Sequence, residues 1–259
     1  MRIAAGIEYD GTDFCGWQAQ DGSRTVQAAV ECAFSTVAAH PISVVCAGRT
    51  DSGVHAMGQV VHFDSDANRR PRSWLLGANA NLPKDVSVVW VKPVAQDFHA
   101  RFSALARTYR YVILNRMTRP AILRNRVCWH HPPLDPDRMV LAARHLVGEH
   151  NFSSFRALAC QAKHPVRTIH RLEVQRRGDY IHLDITANAF LHHMVRNIAG
   201  VLIAVGEGER EPDWVQELLM ARDRRVGGVT GPAGGLYLAE VQYPARYDLP
   251  PAPAVPVYG

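Results

Sequence analysis

The chain has 259 residues, with 29 Lys+Arg against 24 Asp+Glu for a formal net charge of +5, and is 47% hydrophobic and 20% charged. A chain of this length buries roughly 73% of its unfolded surface, and this composition excludes a disordered polymer. No apolar run approaches the roughly 20 residues needed to span a bilayer, and residues 1–9 read at once as strand, which argues against a membrane protein and a cleaved secretory signal.

Ile3, Ala5, Ile7 and Tyr9 alternate as a strand. A turn-rich stretch, 10–23, leads to Thr25 as an expected N-cap, with Val26, Val30, Phe34 and Val37 on one helical face. Residues 42–47 and 58–63 read as strands flanking a polar loop at 48–57. Residues 73–80 read as a helix and 86–91 as an apolar strand, completing a β-α-β-β-α-β order. The second half repeats it. A strand at 108–114 precedes an amphipathic helix at 135–147, and strands at 169–174 and 180–186 form a hairpin around Arg177-Gly178-Asp179. A long helix at 189–205, a shorter one at 213–222 and a closing strand at 235–242 follow. The expected fold is α+β, with two ferredoxin-like, RRM-like β-α-β-β-α-β halves and antiparallel sheets, which are also the platform of RNA-recognition modules. Domain boundaries are expected at 1–105, 106–245 and a Pro-rich tail, 246–259. The tail, with Pro244, Pro250, Pro251, Pro253 and Pro256 in and just before it, should be extended, and either packed on the surface or free.

Cys15, Cys32, Cys46, Cys128 and Cys160 are odd in number and scattered, the pattern of reduced thiols in a cytoplasmic protein. Of the 29 basic residues only Lys84, Lys92 and Lys163 are lysine, and seven arginines lie between Arg101 and Arg126 with no acid among them. Arginine interleaved with Tyr109 and Tyr111 suits phosphate contact and base stacking, although an arginine-rich solvated face explains the same pattern. The acids gather instead at Glu207, Glu209, Glu211, Asp213 and Glu217, a patch expected away from any RNA.

Three places could carry chemistry. The loop Gly48-Arg49-Thr50-Asp51-Ser52-Gly53 puts an acid beside a base between two apolar strands, as a nucleophile or general base requires. The competing reading is turn chemistry, which Asp and Gly supply anywhere. The pairs His130-His131 and His192-His193 suggest metal, but neighbours on a helix diverge by about 100° and no zinc-ligand spacing exists, so stacking histidines are preferred. On the last long helix Leu191, Met194, Val195, Ile198 and Leu202 form the buried stripe, leaving His192, His193, Arg196 and Asn197 at its border. An arginine there reaches water or a carboxylate. If it faced Asp51 across the two halves, it would keep that acid charged.

Several segments together resemble the tRNA pseudouridine synthase A (TruA) family: Gly6-Ile7-Glu8-Tyr9-Asp10-Gly11, Gly16-Trp17-Gln18, Ala47-Gly48-Arg49-Thr50-Asp51, Gly53-Val54-His55-Ala56 and Gln59-Val60-Val61-His62-Phe63. Phe98-His99-Ala100-Arg101-Phe102, Tyr109-Arg110-Tyr111, Ser153-Ser154-Phe155-Arg156, the 190–197 segment and Gly235-Leu236-Tyr237-Leu238 continue the resemblance in order, over nearly the whole chain. Ser52 stands where the family commonly has alanine. The resemblance implies isomerisation of uridine to pseudouridine at positions 38–40 of the tRNA anticodon stem-loop. It implies Asp51 as the catalytic aspartate, Tyr109 packing on the target base, Arg196 as the aspartate's partner and Leu236 as an apolar wall. Arg49 would enter the RNA stack as the uridine leaves. Phe98, His99, Ala100, Arg101 and Phe102, with Ala159, Cys160, Gln161, Ala162 and Lys163, fall where the family contacts tRNA. A homodimer without metal or organic cofactor is implied as well. Asp51 could attack C1′, add to C6 of uracil or remove the 2′ proton, and the sequence leaves all three open. The alternatives from other classes are a non-catalytic RNA-binding module and, more remotely, a metal-dependent hydrolase.

Overall fold

The apolar alternation at the start becomes β1 (Arg2–Tyr9), followed by α1 (Val26–Ala38), β2 (Val45–Cys46), β3 (His55–Asp64), α2 (Pro71–Asn81) and β4 (Val86–Pro93). After these come β5 (Ala106–Asn115), β6 (Cys128–His130), α3 (Pro136–Arg144), β7 (Gly148–Asn151), β8 (Val166–Arg177) and β9 (Tyr180–Ala187). The helices α4 (Met194–Gly206) and α5 (Trp214–Ala221) and the strand β10 (Leu236–Gln242) complete the order. The structure, a computed structural model, describes residues 1–254. No helix among the described residues is long and apolar enough to cross a membrane. The chain divides into two units, the first made of Met1–Ala106 with the stretch from Tyr237 onward, the second of Arg107–Leu236.

In the first unit β1 pairs antiparallel with β3, Ile3 opposite Phe63, and with β4, Tyr9 opposite Val86. On the far side of β3, β2 pairs antiparallel with its end at Val45↔His62. There β10 also runs parallel to its start, at Tyr237↔His55. The order β4-β1-β3-β2 with two crossover helices is what the β-α-β-β-α-β reading anticipates, but the sheet is mixed, because of β10, and not purely antiparallel. Successive residues of a strand face opposite sides. Phe63 joins Phe34 of α1 and Trp74 of α2, with ring centroids 4.6 Å and 5.2 Å from it. Burying each such side chain contributes about 1.5–3 kcal/mol. His62, on the opposite face, meets Phe98 and His99. That face is also covered by the chain after β10: Tyr247 is buried, and a Cβ on Gly58 would stand 3.1 Å from the Ala252 Cβ. The Pro-rich tail therefore packs, as far as it is described; Pro256 lies outside the described residues.

In the second unit β5, β9, β8 and β7 form an antiparallel run, with Tyr109↔Ile185, Leu172↔Ile185 and Glu149↔Thr168. β6 adds a parallel pair at Ile113↔Cys128. Asp135 caps α3, accepting from the amides of Asp137 at 2.8 Å and Arg138 at 3.2 Å, as an N-cap aspartate should. Against α3, Gly206 of α4 sits so near that a Cβ would lie 2.8 Å from Met139. Glu207, Glu211 and Asp213 pair with His130, Arg138 and His145 at 3.1, 3.2 and 3.3 Å.

Three local expectations change. Residues 42–44 do not extend β2, because side chains of α1 take their amides: Ser35 Oγ accepts from Ile42 and Glu31 Oε1 from Val44. Thr25 holds the N-cap position of α1 without a capping bond from its side chain. The long helix begins at Met194 and not at residue 189, since His193 adopts a left-handed conformation (φ 62°) that helical backbone forbids. The two adjacent histidines thus precede the helix, with ring centroids 4.1 Å apart.

Candidate active site

The loop between β2 and β3 is held almost entirely through its backbone. Gln59, fully buried on β3, donates Nε2 to the Gly48 carbonyl at 2.6 Å and accepts the Gly48 amide at Oε1, 3.4 Å. Tyr9 and Thr50 share a buried hydroxyl–hydroxyl bond of 2.7 Å. From the other side comes the segment that follows β1. The Thr50 carbonyl accepts from Trp17 N (3.0 Å), and the Phe14 carbonyl accepts from Gly53 N (3.3 Å) and Ser52 Oγ (3.1 Å). Val54 N closes a turn onto the Asp51 carbonyl at 3.1 Å, with Gly53 at φ 76°, where an L side chain is strained. Gly16, at φ 86°, leaves no room for a Cβ, which would lie 2.8 Å from the Thr50 carbonyl. The buried His55 ring accepts the Gly11 amide at Nδ1 (3.0 Å), with Asp10 Oδ1 3.1 Å away, and stacks on Tyr237. The turn reading holds in the backbone, and Asp51 sits on that turn half-buried beside an exposed Arg49. Ser52, the departure from the family pattern, uses its hydroxyl as one more tie to Phe14.

In the second unit Tyr109 is buried on β5 and meets Phe190 edge-on, centroids 5.0 Å apart. Tyr111, two residues on, is a core residue and not a stacking one. It is fully buried, its hydroxyl donates to the Pro232 carbonyl at 2.9 Å, and burial pushes its pKa up. Arg110 makes a bidentate pair with Asp184, both bonds 2.7 Å, which raises the arginine's pKa. Arg196, in the first turn of α4, donates Nε to the Gly231 carbonyl at 2.8 Å, and Gly231 N returns a bond of 2.9 Å to the Arg196 carbonyl. Asn197 is buried and not at the helix border: it donates to the Phe155 carbonyl (2.7 Å) and accepts from Arg224 (3.1 Å) and Thr230 (2.7 Å). These bonds tie the 224–231 loop, and with it the Gly231 carbonyl, to α4. Leu236 is buried at the start of β10.

The expected RNA-contact residues divide by exposure. Phe98 and Ala100 are fully buried and serve the core, so they offer no surface to a nucleic acid. His99 is half-buried and stacks on Phe102 at 4.3 Å; Phe102 is 76% exposed, and the Arg101 guanidinium stands 5.6 Å from its ring. In the other segment Ala159, Gln161 and Lys163 are exposed, while Cys160 and Ala162 are half-buried. Sequence reasoning passed over Gln59, the Tyr9–Thr50 bond, Phe190 and Gly231. A glutamine inside an apolar strand was the one visible signal among them.

A family model described as tRNA pseudouridine synthase matches residues 5–103 and 142–244. A tRNA pseudouridine synthase A from Nitrosococcus oceani is 60% identical over 250 residues, covering 96% of each chain. Its counterpart from Coxiella burnetii is 55% identical over 257 residues, covering 99% of this chain and 98% of that protein. The one from Vibrio parahaemolyticus is 54% identical over 258 residues, covering 100% and 98%. A chain of a Cbf5-Nop10-Gar1 complex matches at a TM-score of 0.40 and 10% identity, over 91% of this chain and 48% of that one. Identity of this degree over nearly the full length, with the family model matching on both sides of residues 104–141, makes the chain a member of the tRNA pseudouridine synthase A family.

Proposed function

We propose that this chain converts uridine to pseudouridine at positions 38–40 of the tRNA anticodon stem-loop, with Asp51 as the catalytic aspartate. The observation that carries the reading is the Asp51 loop, a half-buried carboxylate on a turn clamped at Gly48, Thr50, Ser52 and Gly53, in a chain of this family. A reactive group on so rigid a base keeps its geometry without help from the substrate.

The reaction breaks the C1′–N1 bond, turns the freed uracil and forms C1′–C5, after which C5 gives up its proton to solvent and N1 takes one up. Atoms and electrons balance within the nucleotide, so no external group is required. A stacked base cannot turn, and extruding it costs a few kcal/mol. Arg49, exposed beside Asp51, fills the vacated stack and meets phosphate, offsetting part of that cost. Tyr109 packs on the uracil while it turns, and Leu236 closes the apolar side. Arg196 takes the part the family resemblance gives it, the basic partner of the aspartate, and its Nε bond to Gly231 fixes the side chain at its root. His99, Arg101, Phe102 and the 159–163 segment contact tRNA outside the target base. The protein acts in the cytoplasm as a homodimer.

The test is release of tritium from C5-labelled uridine in unmodified tRNA. Asp51→Ala and Asp51→Asn should both abolish release while tRNA binding persists. Release retained by either variant overturns the assignment, and binding without release by the unaltered protein supports a non-catalytic RNA-binding module instead.

A further inference from the structure

The chain beyond β10 does more than cover the sheet. Residues 96–103 form neither helix nor strand, yet they carry Arg101 and Phe102 outward. Their internal bonds are local: His99 Nδ1 accepts the amides of Arg101 (3.2 Å) and Phe102 (3.1 Å), and Ser103 bonds back to His99. Fixing the segment in space falls to its buried members, Phe98 and Ala100. The sheet supplies Arg2, whose Nη1 donates to the carbonyls of Gln96 (2.7 Å) and Phe98 (3.0 Å), and His62, which accepts the Ala100 amide at 3.1 Å.

The C-terminal stretch supplies the rest. Tyr243 donates its hydroxyl to the Ala100 carbonyl at 2.6 Å, and its ring centroid lies 5.2 Å from that of Phe98. Tyr247 packs edge-on against the same phenyl ring at 5.0 Å, and its hydroxyl donates to Asp97 Oδ2 at 3.3 Å. Arg246 reaches the same carboxylate at 3.1 Å. Beyond them Lys92 Nζ holds Asp248 by its carbonyl and by Oδ2 (2.6 Å). Leu249, Pro250 and Ala252 then close over Trp90 around a hollow of about 20 Å³, room for a single water. Prolines restrict the free stretch and so lower the entropy lost on docking.

We propose that Tyr243, Arg246 and Tyr247 are positioning residues for tRNA binding: the C-terminal stretch is a strap that fixes, from behind, the surface formed by His99, Arg101 and Phe102. The inference rests on the reading that this surface contacts tRNA. Loosening the strap leaves Asp51 and its loop intact and lets the surface wander, so the cost falls on KM and not on kcat.

The experiment uses the full-length protein and unmodified tRNA transcripts. Tyr243→Phe/Tyr247→Phe keeps both rings on Phe98 and removes the two hydroxyls. It should raise KM for tRNA about 3- to 10-fold with kcat falling less than twofold, and lower the slope of log affinity against log salt by about one phosphate contact, roughly 0.9. The same pair placed on Arg101→Ala/Phe102→Ala should add almost nothing, because residues that act through one another are not additive. If the double tyrosine variant leaves KM and slope unchanged while Arg101→Ala/Phe102→Ala raises KM, the strap inference alone falls. If Arg101→Ala/Phe102→Ala leaves KM unchanged, the tRNA surface was misread and the inference falls with it. A lower melting temperature with unchanged KM assigns the strap to stability only and also overturns it.

Discussion

Gln59 shows how a residue can matter to a reaction it never touches. Its amide meets both backbone groups of Gly48, as a neighbouring strand would, and so holds the residue before Arg49. Gln59→Leu keeps the volume and strands the Gly48 amide and carbonyl, two half-buried groups at roughly 1–3 kcal/mol each. A loss of about 2–5 kcal/mol in urea unfolding is expected, and an unchanged midpoint would refute the clamp. The loop of Asp51 and Arg49 was conspicuous in the sequence because opposite charges stand there between apolar strands. Gln59 was not, since polar residues in strands ordinarily face solvent and only the fold shows which backbone they meet. Phe98 and Ala100 failed the other way: their place in a motif marked them for RNA, and packing claimed them. Tyr111 had the spacing of a stacking residue but a buried partner for its hydroxyl.

At the scale of elements, apolar periodicity located the strands and helices, whereas of the helices α1–α5 only α3 has its start marked by a side-chain cap. Asp135 marks its helix correctly because its carboxylate takes two amides. The start of α4 was hidden because nothing in Ala189-Phe190-Leu191-His192-His193 forbids a helix; the left-handed His193 is imposed from outside, where Ala157 N bonds the His192 carbonyl. β6 and β7 are too short, at three and four residues, to show alternation. β3 carries a titration. Burial, then the nearby charges of Arg2 and His99, pull His62 down to about 4 from 6.5, against the opposing pull of Asp64. The folded protein therefore holds it neutral, accepting the Ala100 amide, where the unfolded chain would bind a proton. Its contribution is intact above about pH 6.5 and lost as pH falls toward 4, on the order of 3 kcal/mol across the window. Melting temperature should fall from pH 7 to pH 5, and His62→Asn, which keeps an acceptor, should flatten that fall. A slope identical in the variant would place the proton elsewhere.

Over the whole molecule, net charge is a poor guide to what meets RNA. Several arginines are already engaged, Arg110 by Asp184, Arg24 by Asp85 and Arg2 by Asp64, so the charge available to phosphate is set by the residues left exposed. The cysteines allow a similar count. All five are free thiols, with Cys15 and Cys32 exposed, Cys160 and Cys46 half-buried and Cys128 buried. Burial raises Cys46 to about 11, so it is almost wholly protonated at neutral pH. A thiol reagent should label Cys15 and Cys32 first and Cys128 only on unfolding, read by mass spectrometry of the modified peptides. Early labelling of Cys128 would contradict its packing. The first unit, finally, is not continuous in sequence: it is built from residues before 107 and from those after 236. A chain emerging from the ribosome exposes β1–β4 and the Asp51 loop long before β10, Tyr243 and Tyr247 exist. During synthesis that unit waits half-finished while the whole second unit is made, its sheet uncovered on one face. Its closure must await the residues after 236, and chaperone demand should peak in that interval.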